Sequence, residues 1–221
     1  GINTTINVKW TTRNSGANPA AGQVTHIIYA STDTVLDEKD IVLSTVSNSV
    51  NLAPFNEMQI STNVKLKAPQ DGWNHILVRT DGSNNILESD ESNNVRSSDS
   101  IRVNIPQLHI GTVLNTTLVR DDEYYYKIVV PDSVAAETLQ VLLTADTSHK
   151  NSNELFVKYG SLPSASDADF VFRNPFKANQ DIVIPSLRAG TYYVMVKGSS
   201  SQPQKQADLL AKIINFEIHA V

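Results

Sequence analysis

The sequence contains no cysteine, and this absence removes several functional classes at once. None of its 221 residues can form a disulfide, bind a metal as a thiolate or act as a cysteine nucleophile. Long hydrophobic runs are absent as well, because no segment approaches the roughly 18 apolar residues that a membrane-spanning helix requires. We therefore expect neither cysteine chemistry nor a membrane span.

Clusters of positive charge are also missing. The chain has 18 Lys and Arg residues against 23 Asp and Glu residues, a formal net charge of −5, and its basic residues are dispersed. Nucleic-acid binding depends on grouped Lys and Arg side chains that neutralise phosphates, so no nucleic-acid partner is expected. No signal-peptide pattern begins at Gly1, which predicts a mature piece or a fragment of a longer protein.

Catalytic patterns are a third absence. The five histidines stand apart, without an HExxH pair or the spacing of metal ligands; they are His26, His75, His109, His149 and His219. There is no GxSxG element for a serine nucleophile and no phosphate-binding loop. These absences favour a protein that is not an enzyme.

What the sequence does contain is alternation of apolar and polar residues, which is typical of half-buried β-strands. The predicted strands before Pro106 include residues 6–10, 25–30, 60–67, 73–80 and 95–105. Those after Pro106 are residues 124–130, 139–144, 154–159, 181–184, 192–197 and 213–219. Gly, Pro and Asn clusters separate the runs at the spacing of a β-sandwich.

The predicted fold class is therefore all-β, with two consecutive β-sandwiches. Pro106 ends the last strand of the first set, because proline cannot donate to a strand ladder. The predicted domains are residues 1–106 and 107–221.

Oxygen-rich side chains crowd residues 81–94, directly after a predicted strand. This segment holds four carboxylates and four Asn side chains, and Asp81, Glu88 and Glu91 are candidate ligands for calcium, which prefers oxygen. The segment departs from the EF-hand pattern. The alternative is a set of Asx turns that hydrogen-bond the strand backbones.

A second candidate calcium site consists of Asp33, Asp37 and Asp40. Their spacing in a turn-rich segment could direct three carboxylates to one point, where a cation would relieve their repulsion. In the alternative, Asp33 and Asp37 cap turns while Asp40 is solvated. The two acidic segments would contribute to one site if they met at the same end of the domain.

Several motifs follow one another in a defined order in the first half. They are Trp10, Asn14 and Gly16 in the opening strand, residues 27–33, residues 35–40, Leu52-Ala53-Pro54, Pro69, Gly72 and the acidic segment 81–94. With these motifs, residues 2–105 resemble CARDB, the cell-adhesion-related domain found in bacteria. The resemblance implies an immunoglobulin-like sandwich of seven strands, used as a repeat or spacer in secreted and cell-surface proteins.

Three motifs in the second half are YYYKIVVP at 124–131, ELFVKYGSLP at 154–163 and AGTYYVMV at 189–196. With them, residues 108–221 resemble the bacterial pre-peptidase C-terminal (PPC) domain. This resemblance implies a jelly-roll-like β-sandwich of the kind appended to secreted proteases and surface proteins. It also implies a third calcium candidate at Glu154, Asp167 and Asp169, with a surface acidic cluster as the alternative.

Adjacent tyrosines in two predicted strands are candidates for a sugar-binding surface. Neighbouring strand residues point to opposite faces, so residues 124–126 and 192–193 must each place a ring away from the core. Such a ring could stack on a glycan, but core packing is favoured because amphipathic Tyr is common at half-buried positions. Trp10 and Trp73 are predicted to be core anchors of the first sandwich.

Together these features favour a non-enzymatic structural or adhesion-supporting module of a bacterial protein, stiffened by calcium. The expected location is extracellular, on the cell surface or secreted. Its expected partners are neighbouring domains of a larger surface protein, and in isolation the chain is expected to be a monomer. The alternatives are a glycan- or matrix-binding accessory module and a non-catalytic appendage of a secreted hydrolase.

Overall fold

In the computed structural model of the protein, the described part is almost entirely β-structure. That part contains fifteen strands, two 3₁₀ turns and no α-helix. No helix long and apolar enough to cross a membrane occurs in it. The chain divides into two compact units, Gly1–Asn104 and Ile105–Val221. The structure describes residues 2–67, 69–145, 152–174, 177–198 and 204–215.

The first unit has a sheet of two strands and a larger sheet. Its strands are β1 (Thr5–Arg13), β2 (Ala20–Ser31), β3 (Ile41–Leu52), β4 (Glu57–Lys65), β5 (Gly72–Arg79), β6 (Val95–Ser97) and β7 (Ile101–Val103). Strands β1 and β4 pair with each other, and the larger sheet has the order β3-β2-β5-β6, with β7 also paired to β5. All of these pairings are antiparallel.

Strands β6 and β7 continue one another along the same edge of β5. Leu77 pairs with Ser97 in β6, and Asn74 pairs with Ile101 in β7. Two residues of β5 therefore face three residues of the partner, which is the pattern of a β-bulge. Ser98 stabilises the bulge, since its N–H donates to Ile76 O at 2.8 Å and its Oγ accepts from Ile76 N at 3.0 Å.

The two sheets of the first unit face each other. Along β2, Val24, His26, Ile28 and Ala30 are buried at alternate positions, as a strand with one core face requires. The ring of Trp10 in β1 packs edge-on against His26, with 5.2 Å between ring centroids. Because β1 and β2 belong to different sheets, this contact defines a sandwich.

Trp73 does not anchor that core, contrary to the prediction. Its side chain is 58% exposed, while Asn74, Ile76 and Val78 are buried at the alternate positions of β5. The two-residue period therefore turns Trp73 to the outer face of the sheet, where the Arg102 guanidinium lies 5.9 Å from the ring centroid. Trp10 is half-buried between the sheets, as its contact with His26 indicates.

The second unit has two sheets of four strands each. Its strands are β8 (Val113–Val119), β9 (Glu123–Val130), β10 (Thr138–Ala145), β11 (Glu154–Tyr159), β12 (Phe170–Phe172), β13 (Gln180–Ile184), β14 (Gly190–Lys197) and β15 (Gln204–Ile214). The sheet orders are β13-β10-β15-β8 and β12-β11-β14-β9, so the chain crosses between sheets after almost every strand. Two such four-stranded antiparallel sheets form a jelly roll.

A single apolar cluster fills this second sandwich. Leu139, Val141 and Leu143 of β10 meet Val194 and Val196 of β14 in it, and each is at most 1% exposed. Along β10 the buried residues alternate with more exposed ones, as expected for a strand with one face in the core.

The last predicted strand was placed too far along the chain. The sequence predicts residues 213–219, whereas β15 begins at Gln204 and ends at Ile214. Its inward residues include Ala207 and Ala211, and such small side chains weaken the apolar alternation on which the prediction depends. Residues 216–219 lie outside the described residues. The division of the chain after Asn104 comes two residues before the predicted boundary at Pro106.

Candidate functional site

The acidic segment 81–94 forms a closed loop after β5, and Asp81 organises its first half. Asp81 is 1% exposed and has a φ of 47°, a left-handed conformation that Asp tolerates better than most residues. Its Oδ1 accepts from the Asn85 N–H at 2.9 Å, and its Oδ2 accepts from the Ile86 N–H at 2.8 Å. Both carboxylate oxygens therefore bind the backbone of the loop.

The same half of the loop is attached to the start of β2. Gly82 N donates to Thr25 O at 2.8 Å, and Asn85 Nδ2 donates to Gln23 O at 3.2 Å. A Cβ on Gly82 would lie 2.7 Å from Ile27 Cδ1, so the close approach of loop and strand requires glycine or a shift of that side chain. These contacts place the loop over one end of the larger sheet.

The second half of the loop contains Glu88, Asp90 and Glu91. Glu91 Oε1 accepts from Glu88 N at 3.0 Å, and Asp90 caps the 3₁₀ turn Glu91–Asn93 by accepting from Ser92 N at 2.9 Å. Burial raises the pKa of Glu88, and the charge of Glu91 raises it further. The side-chain hydrogen bond from Ser92 lowers the pKa of Asp90. The loop closes where Thr80 N donates to Asn94 O at 2.8 Å.

The segment with Asp33, Asp37 and Asp40 is a series of turns between β2 and β3. Asp33 Oδ1 accepts from Val35 N at 2.7 Å, and Asp37 Oδ1 accepts from Lys39 N at 2.8 Å. Both residues thus form the Asx turns that the alternative interpretation describes. Asp40 differs from that interpretation, because its Oδ2 accepts from Asp37 N at 2.9 Å.

The two acidic segments lie at opposite ends of the larger sheet. The turns with Asp33 follow Ser31 at the end of β2, whereas the loop with Asp81 is bound to Gln23 and Thr25 nearer its start. Six residues separate Thr25 from Ser31, which corresponds to about 20 Å along a strand. The condition for a shared site, that the two segments meet at the same end of the domain, is therefore not met.

The third candidate calcium site, Glu154, Asp167 and Asp169, is not assembled either, because Asp167 and Asp169 interact with different residues. Asp167 forms an ion pair with Lys158, and Asp169 Oδ2 accepts from Tyr159 N at 2.8 Å. Glu154 lies opposite Lys197 in the register of β11 and β14. Within the described ranges, no three His, Cys, Asp or Glu residues form a group that could hold a metal ion. Calcium binding stays a prediction from the sequence.

The tyrosines are buried or half-buried, as core packing predicts. Tyr126 and Tyr192 are 5% and 3% exposed and belong to the core cluster. Their hydroxyls are bonded, with Tyr126 donating to Thr116 Oγ1 at 2.7 Å and Tyr192 accepting from Arg188 N at 3.0 Å. Tyr125 lies on the other face and donates to Glu123 Oε2 at 3.1 Å, and burial raises its pKa.

Two features carry chemistry that the sequence did not reveal. Trp73 offers the exposed aromatic ring that was expected among the tyrosines. Asn74, Ile76 and Val78 occupy the inward positions of β5, and this spacing places Trp73 on the outward face. His26 is fully buried, and its place in an alternating strand gave no sign of which face it occupies. A histidine on either face fits the same pattern, so the sequence could not separate a surface from a core position.

Comparison with known proteins identifies the class of the first unit. The CARDB family model matches residues 1–98, which confirms the resemblance drawn from the motifs. Residues 1–98, most of the first unit, are therefore similar to CARDB, a structural and non-catalytic domain type of bacterial secreted or surface proteins. No curated protein matches the sequence.

Solved structures resemble the chain at low identity. One is the pre-peptidase C-terminal domain of a collagenase from Bacillus anthracis, at 12% identity and a TM-score of 0.38, covering 49% of this chain and 94% of that chain. Another is CorA, a surface-associated copper-binding protein from Methylomicrobium album BG8, at 8% identity and a TM-score of 0.35. The match covers 50% of this chain and 98% of that chain. Tripeptidyl peptidase 2 matches at 10% identity and a TM-score of 0.38, and the match covers 96% of this chain but 19% of that chain. At such values these likenesses assign no function.

Proposed function

We propose that the chain is a non-catalytic structural segment that supports adhesion in a bacterial secreted or surface protein by connecting and spacing its neighbouring domains. The observation that carries this proposal is the use of the loop carboxylates. In both acidic segments of the first unit, the oxygens of Asp33, Asp37, Asp40, Asp81 and Glu91 accept backbone N–H groups. The carboxylates that were candidate calcium ligands therefore stabilise the backbone conformation of the two loops.

This use of carboxylates has a mechanical consequence. A charge-assisted hydrogen bond to backbone N–H is worth about 1.5–3 kcal/mol, so loops held by several of them resist local opening. A spacer needs this resistance, because a loop that opens shortens the lifetime of the folded unit under load. In the same proposal the chain acts as a monomer outside the cell, and calcium adds stiffness only if it binds these loops.

An adhesion assay under flow tests the spacer role. The full chain is inserted between a binding head of known ligand and a cell-surface anchor, and the matched control is a Gly/Ser linker of equal residue number. We expect cells with the chain to stay attached at higher shear, because a Gly/Ser linker is a flexible coil without folded units. Equal detachment curves for the two insertions would contradict the proposal.

A second candidate function is glycan or matrix binding, and one observation favours it. Trp73 is 58% exposed with the Arg102 guanidinium beside its ring, and an exposed indole is a platform on which a sugar ring can stack. A glycan and matrix-protein array distinguishes this candidate. Binding that is lost in Trp73→Ala but kept in Leu87→Ala, which alters a residue that is 97% exposed, would favour recognition over spacing.

A further inference from the structure

The interior of the first unit contains a histidine without hydrogen-bond partners. His26 is 0% exposed, and its side chain lies between the two sheets with its ring against Trp10, at 5.2 Å between centroids and 60° between planes. Both ring nitrogens are buried, and neither has a partner in the described residues. A buried polar side chain without partners is uncommon, because each such group costs free energy on folding.

Other polar atoms share this condition on neighbouring strands. Trp10 Nε1 and Thr12 Oγ1 of β1 and Asn48 Oδ1 of β3 are buried, and among the described residues they too have no partner. Asn48 pairs with Val24, two residues before His26, so Asn48 and His26 are diagonal neighbours on the same face of the sheet. Trp10 and Asn48 are therefore uncharged polar neighbours of His26.

The charges around His26 come from a single direction. In the described residues, the inward positions of the strands around it carry no titratable or charged side chain; they are Val8, Trp10, Thr12, Val46, Asn48, Ile60, Ile76 and Val78. Lys9 and Arg13 of β1 are exposed on the opposite face. The carboxylate of Asp81, in the loop after β5, is the charge that acts on the ring. Its two oxygens are held by Asn85 and Ile86.

This environment favours the neutral imidazole. Burial lowers the pKa of His26 below its ordinary value, and the attraction of Asp81 opposes only part of that effect. An unfolded chain instead exposes His26 to water, where its pKa is about 6.5. Below that pH His26 is protonated in the unfolded state but stays neutral in the folded state until the pH falls further. The stability of the first unit therefore falls as the pH falls.

We propose that His26 is an acid-sensitive element of the first unit: its protonation places an unpaired charge between the two sheets and loosens this sandwich while the second unit stays folded. The second unit offers no equivalent in the described residues, since His109 is exposed there. His75 of the first unit is half-buried in β5, beside the bulge between β6 and β7, with its Nδ1 3.2 Å from Ser98 O.

The two tryptophans make this proposal testable in the full chain. Trp10 and Trp73 are the only tryptophans of the sequence, and both lie in the first unit. In a Trp73→Phe background, fluorescence reports Trp10 beside His26, and urea unfolding at pH 7.5, 6.5 and 5.5 measures the stability of the first unit. Below pH 6.5 we expect its folding equilibrium constant to fall by up to tenfold per pH unit.

His26→Phe keeps an aromatic ring against Trp10 and removes the titration. In that variant we expect the stability of the first unit to fall less across the same pH range. His75→Gln is the matched control, and its stability should fall as much as that of the parent. Equal pH dependence in His26→Phe and the parent would overturn the proposal. If His26→Phe does not fold, the ring signals of His26 are titrated by NMR in the parent. A neutral ring below pH 6 supports the proposal, and ordinary titration near pH 6.5 with the fold intact overturns it.

Discussion

The two units are both antiparallel sandwiches, yet they differ in the buried polar side-chain atoms that are left without hydrogen-bond partners in the described residues. In the second unit, Asn153 Nδ2 donates to Ala178 O at 2.7 Å, and Gln180 donates to Lys177 O at 2.9 Å while accepting from Asn174 N at 3.1 Å. In the first unit, buried polar atoms of Trp10, Thr12, His26, Asn48 and Asn74 are without partners in the described residues.

The difference teaches where each unit gains its stability. The second unit has one continuous apolar cluster that spans both sheets, and its buried amides are satisfied by backbone groups. The first unit covers its larger sheet with only two strands, β1 and β4, and adds loops held by carboxylates. An unpaired buried polar group costs about 1–3 kcal/mol, so we expect the first unit to be the less stable one.

Truncation in the core of the second unit gives the largest expected effect. Leu209 lies at the centre of β15 and is 0% exposed, so Leu209→Ala should lower the stability of that unit by about 3 kcal/mol through lost packing and a cavity. Urea unfolding followed by circular dichroism and backbone NMR measures the change. Val183→Ala, at an exposed position of β13, is the control. A shift of the tryptophan fluorescence transition alone would contradict the comparison.

Removal of the Asp81 carboxylate tests the loop contribution in the first unit. Asp81→Ala leaves the part-buried N–H groups of Asn85 and Ile86 without their acceptor, and we expect a loss of about 2 kcal/mol in the stability of the first unit. Tryptophan fluorescence during urea unfolding reports it. Asp99→Ala, at an exposed position in the same unit, should change the midpoint little. If both variants behave alike, the loop does not contribute to stability as described.

The raised pKa of Glu88 predicts a smaller change in the stability of the first unit with pH, opposite in sign to that caused by His26. Folded Glu88 binds its proton more tightly than the unfolded residue does, so its ionisation destabilises the loop and acid relieves this. Glu88→Gln should therefore stabilise the first unit at pH 7 by about 0.3 kcal/mol, a value reduced for solvent screening of a largely exposed group. The gain should vanish near pH 4. Glu38→Gln, an exposed control, should show no such trend.

Calcium gives the smallest expected effect. The carboxylates of both acidic segments already accept backbone N–H groups, so we expect melting temperatures in millimolar calcium and in chelator to agree within about 1 °C, because an ion whose dissociation constant lies well above its concentration stabilises a fold little. Differential scanning calorimetry of the full chain measures this. A rise of several degrees that disappears in Asp81→Ala or in Asp37→Ala would instead establish the cation site and identify its loop.

Strand positions could be predicted because they depend on a local pattern. Residues 124–130 and 192–197 are rich in Tyr and Val, which favour strands, and they correspond closely to β9 and β14. The final strand was misplaced because Ala207 and Ala211 fill inward positions with small side chains. Trp73 was assigned to the core on its residue type, although the alternation of β5 turns it outward.

The candidate site shows the limit of such reasoning more clearly. Composition identified Asp33, Asp37, Asp40, Asp81, Glu88 and Glu91 as residues of interest. It could not show that the two segments lie at opposite ends of the larger sheet, since that depends on β2 and β5 being paired antiparallel. Nor could it show which N–H groups each carboxylate accepts.

The sequence by itself determined the all-β class and the two sets of strands, because alternation and turn residues act over a few neighbouring positions, while its ordered motifs gave the resemblance of the first half to CARDB. The tertiary structure alone decided which carboxylates meet, that Trp73 faces outward and that His26 is enclosed beside Trp10. Those outcomes depend on the register of strands distant in sequence and on the packing of one sheet over the other. A local pattern carries no information about either.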